Sequence, residues 1–188
     1  MNALSDRIER ERNGEATGWI SLVLFGAATA AIVSLATVGS GAPRPATSRW
    51  YRSLRQPGYK PPDPVIPAAW SVLYTASAVS AWRVWRTKDS PERRTALALW
   101  GAQTVANGLW TRLFFGHKRP DLALADSVVL LAGAAAYARA ADQVDRPAAL
   151  LMLPYIAWVG FATKLNKDIV RLNPEESGGR DEEDQERE

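Results

Sequence analysis

The residues with the clearest potential for chemistry are aromatic rings and side-chain amides that recur at helical spacing. Trp100, Gln103, Asn107, Trp110 and Phe114 are separated by 3, 4, 3 and 4 residues, so they share one face of a helix. Indole rings offer flat apolar surface, and the amide of Asn107, between two Trp, suits the orientation of a ligand. The pattern indicates non-covalent binding of a flat molecule, although interhelical hydrogen bonding is the favoured role for Gln103.

Two further segments carry aromatic rings on one helix face. Their members are Trp70, Tyr74 and Ala78 in one segment and Tyr155, Trp158, Ala162 and Asn166 in the other. An aromatic stripe usually belongs to a protein core, but in a bilayer a helix gains no hydrophobic energy by burying Trp rather than Leu. We therefore predict that the three faces line one chamber.

A long connection, residues 40–63, combines rings, cations and rigid prolines. Its rings are Trp50, Tyr51 and Tyr59, and its cations include Arg52, Arg55 and Lys60. Loops beyond about 12–15 residues are often functional lids, and rings flanked by cations suit a flat ligand that carries carboxylates. Composition supports equally well an anchor at the membrane interface, with Trp and Tyr at headgroup level and Arg on lipid phosphate.

Composition excludes several other kinds of site. Among 188 residues there are eight Trp, one His (His117) and no Cys. Disulfides, thiol redox centres and Cys-based zinc sites are therefore excluded, and a His-paired catalytic centre or a haem held by two His is implausible. Neither a phosphate-cradling Gly loop nor a metal-ligand spacing is present, so we expect no metal, no cofactor and no nucleic-acid partner.

Five segments that avoid charge must position these side chains. They are residues 20–39, 64–82, 95–111, 122–138, with Asp126 as its one charge, and 147–163. Each is near the roughly 17–25 apolar residues that a helix needs to cross a bilayer core. A soluble bundle would repeat charges every three or four residues, whereas these segments are rich in Ala, Gly, Ser and Thr, as packed membrane helices are.

The sequence therefore predicts an all-α fold, a bundle of five transmembrane helices with the long first loop as a lid. The expected helices span about 19–39, 64–85, 93–115, 121–140 and 147–170, with a kink at Pro154. We expect residues 1–18 to form a polar leader, 19–173 the transmembrane domain and 174–188 an acidic disordered tail. For Asp126, pairing with a neighbouring helix is favoured over a functional role.

Five stretches of this chain resemble the translocator protein family, also called tryptophan-rich sensory proteins or peripheral benzodiazepine receptors. They are WYRSLRQPGYKPP (50–62), WSVLY (70–74), WGAQTVANGLWTRLFFG (100–116), ALADSVVLL (123–131) and PYIAWVGFATKLN (154–166). The stretches occur in the family's order and spacing, and the resemblance extends over about residues 19–173. Together they are highly specific.

The resemblance implies five transmembrane helices, usually assembled as a homodimer, around a ligand cavity that the first loop closes. It also implies porphyrin ligands such as protoporphyrin IX, with cholesterol and synthetic isoquinoline or benzodiazepine ligands in some members. Carried over by motif, the ligand-binding residues would be Trp50, Tyr51, Trp70, Tyr74, Asn107, Trp110, Trp158 and Ala162.

The leading hypothesis is a multi-pass membrane receptor or sensor for tetrapyrroles or similar planar molecules, in the cell membrane of a prokaryote and with a role in tetrapyrrole transport or regulation. Arg52, Arg55 and Lys60 would meet the propionates, and membrane lipid and a second copy would be its other partners. The alternative is an enzyme that degrades porphyrin oxidatively or photochemically through a radical at Trp70 or Trp158. Because the sequence supplies no acid–base machinery, binding is favoured over catalysis.

Overall fold

A computed structural model describes residues 18–31, 34 and 48–176 of the chain. Most of the predicted leader and acidic tail lies outside the described residues. Within them every regular element is helical, which confirms the predicted all-α class. The α-helices are α1 (Gly18–Ala31), α2 (Arg49–Ser53), α3 (Val65–Trp85), α4 (Pro91–Thr111), α5 (Pro120–Asp142), α6 (Arg146–Leu151) and α7 (Leu153–Leu172).

Short-range signals in the sequence set where two of the helices begin. The Ser48 hydroxyl accepts a hydrogen bond from the Tyr51 amide at 3.1 Å and starts α2, and Ser90 accepts from the Arg93 amide at 3.1 Å and starts α4. Both satisfy an amide that the first helical turn leaves without a partner. Pro91 follows Ser90 at the first helical position, where the lack of an N–H costs nothing.

Three helical segments are long and apolar enough to cross a membrane. They are Val65–Trp85, Pro120–Asp142 and Arg146–Leu172, the last comprising α6 and α7. The described part of α1 is apolar but shorter. α4 has 21 residues, but its charged first turn and the buried Gln103 and Asn107 make it more polar. The chain thus forms a helical bundle with apolar spans, and the count of five spans stays a prediction.

α5 occupies a central position and packs mainly against α4 and α7. Small side chains let the helices of the bundle approach closely. Ala96 on α4, Ala134 and Ala141 on α5 and Ala148 on α6 are all 0% exposed. Tyr137 and Tyr155 are the largest fully buried side chains, so large rings fill the volume that the alanines leave.

The last two helices form one rod with a break. The sequence predicts one helix over 147–170 with a kink at Pro154, and the structure has α6 and α7 separated at Met152. Pro154 has no N–H to donate to the Leu150 carbonyl, so the helical ladder cannot continue through this turn. At this break the Met152 amide donates to the carbonyl three residues earlier, that of Ala149, at 3.0 Å.

α4 also departs from a regular helix at its end. The α-helical part stops at Thr111, and the chain continues as a π-helical turn over Arg112–Gly116. Such turns are rare and occur frequently at functional sites. Here the turn carries Phe114, which is 1% exposed, and Phe115, and both rings face the cavity described below.

Candidate functional site

A cavity of about 1040 Å³ lies between α1, α3, α4, α5 and α7. Seven of the eight residues that the sequence singled out for ligand binding line it. They are Tyr51, Trp70, Tyr74, Asn107, Trp110, Trp158 and Ala162. Three helices therefore turn their Trp-bearing faces toward one chamber, while Trp50 takes a different position.

One wall of the cavity is a corner of rings around Trp70. Its indole stacks on Tyr74 with centroids 5.2 Å apart and an interplanar angle of 25°. It meets Trp158 edge to face at 6.4 Å and 88°, and Tyr155 at 6.0 Å and 76°. Both geometries are those that the aromatic quadrupole favours, so the two indoles of this wall are held at right angles.

A second aromatic wall comes from the end of α4. Trp110 stacks on Phe114 with centroids 4.9 Å apart and planes 16° apart, and Phe115 meets Trp110 edge on at 5.8 Å. The π-helical turn places both Phe rings against Trp110. A flat molecule in the cavity would therefore meet ring surface from both walls.

Asn107 is held between two tyrosines at the centre of the bundle. Its Oδ1 accepts from the Tyr74 hydroxyl at 2.7 Å, and its Nδ2 donates to the Tyr155 hydroxyl at 3.0 Å. The side chain is 4% exposed. One acceptor position and one donor position of this amide are thus occupied by the protein, and the bonds tie α3, α4 and α7 together.

The cavity face of α7 carries two polar groups in a different situation. The indole Nε1 of Trp158 and both side-chain polar atoms of Asn166 are buried and have no hydrogen-bond partner. Trp158, Ala162 and Asn166 are four residues apart and all line the cavity. Asn166 lies on the stripe recognised in the sequence, but it was not among the predicted ligand-binding residues.

The two lid rings that were predicted to bind the ligand lie in different positions. Tyr51 is 7% exposed and lines the cavity. Trp50 lies behind the lining, where its ring meets Phe114 edge on at 5.5 Å and its Nε1 donates to Glu176 at 2.9 Å. α2 presents only one of two consecutive residues to the cavity, because neighbours on a helix point in different directions.

None of the three lid cations singled out by the sequence lines the cavity. Arg52 and Arg55 are exposed. Lys60 donates to Gln56 Oε1 at 2.7 Å and to the Asp63 carboxylate at 2.5 Å. Partial burial works against the charge on Lys60, but the hydrogen bond to Asp63 and the interactions with Tyr51 together outweigh it, so the pKa of Lys60 lies above its ordinary value.

The lid is attached to the end of α7. Asn173, which is 2% exposed, accepts from the Arg55 amide at 2.8 Å and donates to the Arg55 carbonyl at 3.0 Å. Further along the loop, the Tyr59 hydroxyl donates to Asp168 at 2.5 Å. These contacts hold the segment 48–63 across the lid-side end of the bundle.

Two polar residues of the spans do not behave as the sequence suggested. Gln103 donates to Thr104 on its own helix at 3.0 Å, and its Oε1 has no partner, so it does not join two helices. Asp126 is 9% exposed, and its Oδ2 has no partner, so within the described residues this oxygen does not make the predicted pairing with a neighbouring helix. The adjacent Ser127, rather than Asp126, lines the cavity.

Sequence reasoning missed the wall that α1 contributes. Leu22, Gly26, Thr29 and Ala30 all line the cavity. The abundance of small residues in the charge-free segments suggested close helix packing, and the structure shows that on α1 such small side chains leave room for the cavity. Phe161 and Leu165 on α7 also line it, and no special sequence pattern distinguishes them.

Comparison with known proteins agrees with this architecture. The TspO/MBR family model matches residues 23–172. The chain is 41% identical over 124 residues to the tryptophan-rich sensory protein of Cereibacter sphaeroides, covering 66% of this chain and 77% of that protein. It is 37% identical over 134 residues to the translocator protein of Bos taurus, covering 70% of this chain and 79% of that protein. The chain belongs to the TspO/MBR family of membrane proteins.

Proposed function

We propose that the protein is a membrane receptor or sensor that binds porphyrins, such as protoporphyrin IX, or similar planar hydrophobic molecules in its aromatic cavity. The observation that carries this proposal is the convergence of Trp70, Trp110 and Trp158 from three helices on one chamber. Flat, polarisable walls suit a flat conjugated ligand. The volume of about 1040 Å³ is at the upper end of the roughly 300–1,000 Å³ usual for ligand pockets, which fits a large ligand.

The test is a titration of the purified protein with protoporphyrin IX, followed by quenching of tryptophan fluorescence and by porphyrin absorbance. We expect Trp70→Ala and Trp158→Ala each to weaken binding by about tenfold, because each removes buried ring contacts. Trp19→Ala is the matched control, since Trp19 is 68% exposed and lies outside the cavity. Wild-type affinity in both cavity variants would reject this binding site.

The surface of the bundle supports a location within a bilayer. Apolar side chains on the outer faces of α1, α3 and α5 are more than half exposed, among them Val23, Val72 and Val129. Lipid or a second copy of the chain would cover them. We propose a multi-pass protein in the cell membrane of a prokaryote that forms a homodimer there. A monomeric mass in lipid nanodiscs would contradict the dimer.

One observation favours the alternative of porphyrin breakdown by oxidation or photochemistry. The ring centroid of Trp70 lies within 6.4 Å of those of Tyr74, Tyr155 and Trp158. A radical formed on one of these rings would therefore have other aromatic rings close by. In this alternative, illumination of the porphyrin complex with dioxygen yields a new absorbing product. The product should disappear in Trp70→Phe or Trp158→Phe. If the porphyrin spectrum is the same with and without light, the protein binds the ligand without degrading it.

A further inference from the structure

Among the described residues that line the cavity, one amide is left entirely without hydrogen-bond partners from the protein. Asn166 is 2% exposed, it lines the cavity, and neither its Nδ2 nor its Oδ1 makes a hydrogen bond. A buried amide in this state destabilises the fold, since it has lost its bonds to water and gained none. Asn107 provides the contrast, because its Oδ1 and Nδ2 are each engaged by a tyrosine hydroxyl.

Asn166 lies at the lid-side end of the cavity. Two residues beyond it on α7, Asp168 accepts from the Tyr59 hydroxyl of the lid, and further on Asn173 binds the backbone of Arg55. In the other direction, Ala162 and Trp158 follow along the same face. Trp158 is eight residues from Asn166, or about 12 Å along the helix axis, so the Trp70–Trp158 corner and the free amide lie at different depths of one cavity.

The charged groups nearby do not supply a positive partner inside the cavity. Lys164 donates to Asp168 at 3.0 Å and lies over the Tyr59 ring at 3.9 Å. Lys60 is bound to Asp63, and Asp63 itself borders the cavity. An ionised carboxylate at this end would therefore be buried without a cation, which is costly. A neutral group that offers a donor and an acceptor side by side matches the amide instead.

We propose that Asn166 is the polar anchor of the cavity and recognises a carboxylic acid group of the ligand through a donor–acceptor pair. Its Nδ2 donates to the carbonyl oxygen of that group, and its Oδ1 accepts from the hydroxyl. This inference rests on the proposed function: for protoporphyrin IX the group is a propionic acid. The small side chain of Ala162 leaves space for the flat body of the ligand between Asn166 and Trp158.

The test combines two ligands with substitutions at one residue. Protoporphyrin IX and its dimethyl ester are titrated against the wild-type protein, Asn166→Leu and Asn166→Gln in lipid nanodiscs. The ester keeps the flat ring but lacks the donor that Oδ1 requires. We expect Asn166→Leu to reduce the preference for the acid over the ester by about tenfold, in line with the loss of the one hydrogen bond, from the acid hydroxyl to Oδ1, that the ester cannot make. Asn166→Gln keeps an amide and should retain part of this preference.

Lys167→Ala is the control, because Lys167 is the next residue on α7 and is exposed. It should leave the preference unchanged. A purely structural role of Asn166 predicts a lower melting temperature in Asn166→Leu without ligand, whereas the anchor role predicts an equal or higher one, since an unsatisfied amide is removed. A wild-type protein that binds both porphyrins, together with an unchanged preference in Asn166→Leu, overturns this inference and leaves the proposed function standing. Failure of the wild-type protein to bind either porphyrin overturns both.

Discussion

The hydroxyl of Ser80 joins three helices at a point that water does not reach. It donates to the Ala148 carbonyl at 2.8 Å, and because its one proton is used there, the Tyr137 hydroxyl donates to Ser80 at 2.7 Å. Ser80, Tyr137 and Ala148 are each 0% exposed. A single side chain on α3 thereby satisfies groups on α5 and α6, and this fixes the end of the bundle away from the lid.

Ser80→Ala should destabilise the protein by about 1–3 kcal/mol, because it leaves two buried polar groups without a partner. Thermal unfolding in detergent, followed by circular dichroism, measures this change. Ser71→Ala is the matched control, since Ser71 is exposed and its hydroxyl donates to the Pro67 carbonyl of its own helix. Equal melting temperatures for the two variants would show that the buried contact is unimportant.

Residue positions on helices could be predicted from spacing, whereas positions in the lid could not. Trp70, Asn107 and Trp158 were identified because a period of 3.6 residues fixes which side chains share a face. Trp50 depends on long-range contacts with Phe114 and Glu176, and no local pattern encodes these. The free amide of Asn166 was equally hidden, since a spacing places a side chain on a face but does not reveal its hydrogen-bond partners.

At the scale of elements, the connection between the lid and α7 is the main structural feature. Asn173 follows directly after α7 and makes two hydrogen bonds to the backbone of Arg55 and one to the Ile169 carbonyl at 2.8 Å. The short 3-10 turn that follows brings Glu176 to the Trp50 indole. The end of the last helix therefore holds the loop that borders the cavity.

Asn173→Ala should loosen the lid, because it removes all three bonds at once. We expect amide hydrogen exchange in residues 48–60 to become faster while that of α5 stays unchanged. Arg171→Ala provides the comparison, since Arg171 is an exposed residue on the same turn. If amide hydrogen exchange in residues 48–60 is as slow in both variants as in the wild-type protein, the attachment of the lid lies elsewhere.

The regular helices followed from the sequence more readily than their irregularities did. Charge-free segments separated by charged turns give the positions of α3, α5 and α7, and Pro154 gives the break between α6 and α7. The π-helical turn Arg112–Gly116 was not foreseen. It depends on how Phe114 and Phe115 pack against Trp110 and Tyr51, and this packing exists only in the assembled bundle.

At the scale of the whole molecule, small residues let some helices pack closely, whereas aromatic rings surround the cavity between others. Alanines on α4, α5 and α6 bring those helices together, whereas Trp70, Trp110 and Trp158 surround an open chamber beneath the lid. Membrane helices gain little by burying indoles for their own sake. Large rings around an open cavity are therefore best explained by a ligand that binds there.

The most direct test of this account fills the chamber without removing any of its walls. Ala162 lines the cavity midway between Trp158 and Asn166, so Ala162→Trp places a ring where the ligand would lie. Ala135→Trp, at an exposed position on α5, adds the same ring outside the cavity. In a protoporphyrin IX titration in nanodiscs, the account predicts at least about tenfold weaker binding for Ala162→Trp and wild-type binding for Ala135→Trp. Wild-type affinity in a folded Ala162→Trp protein would contradict it.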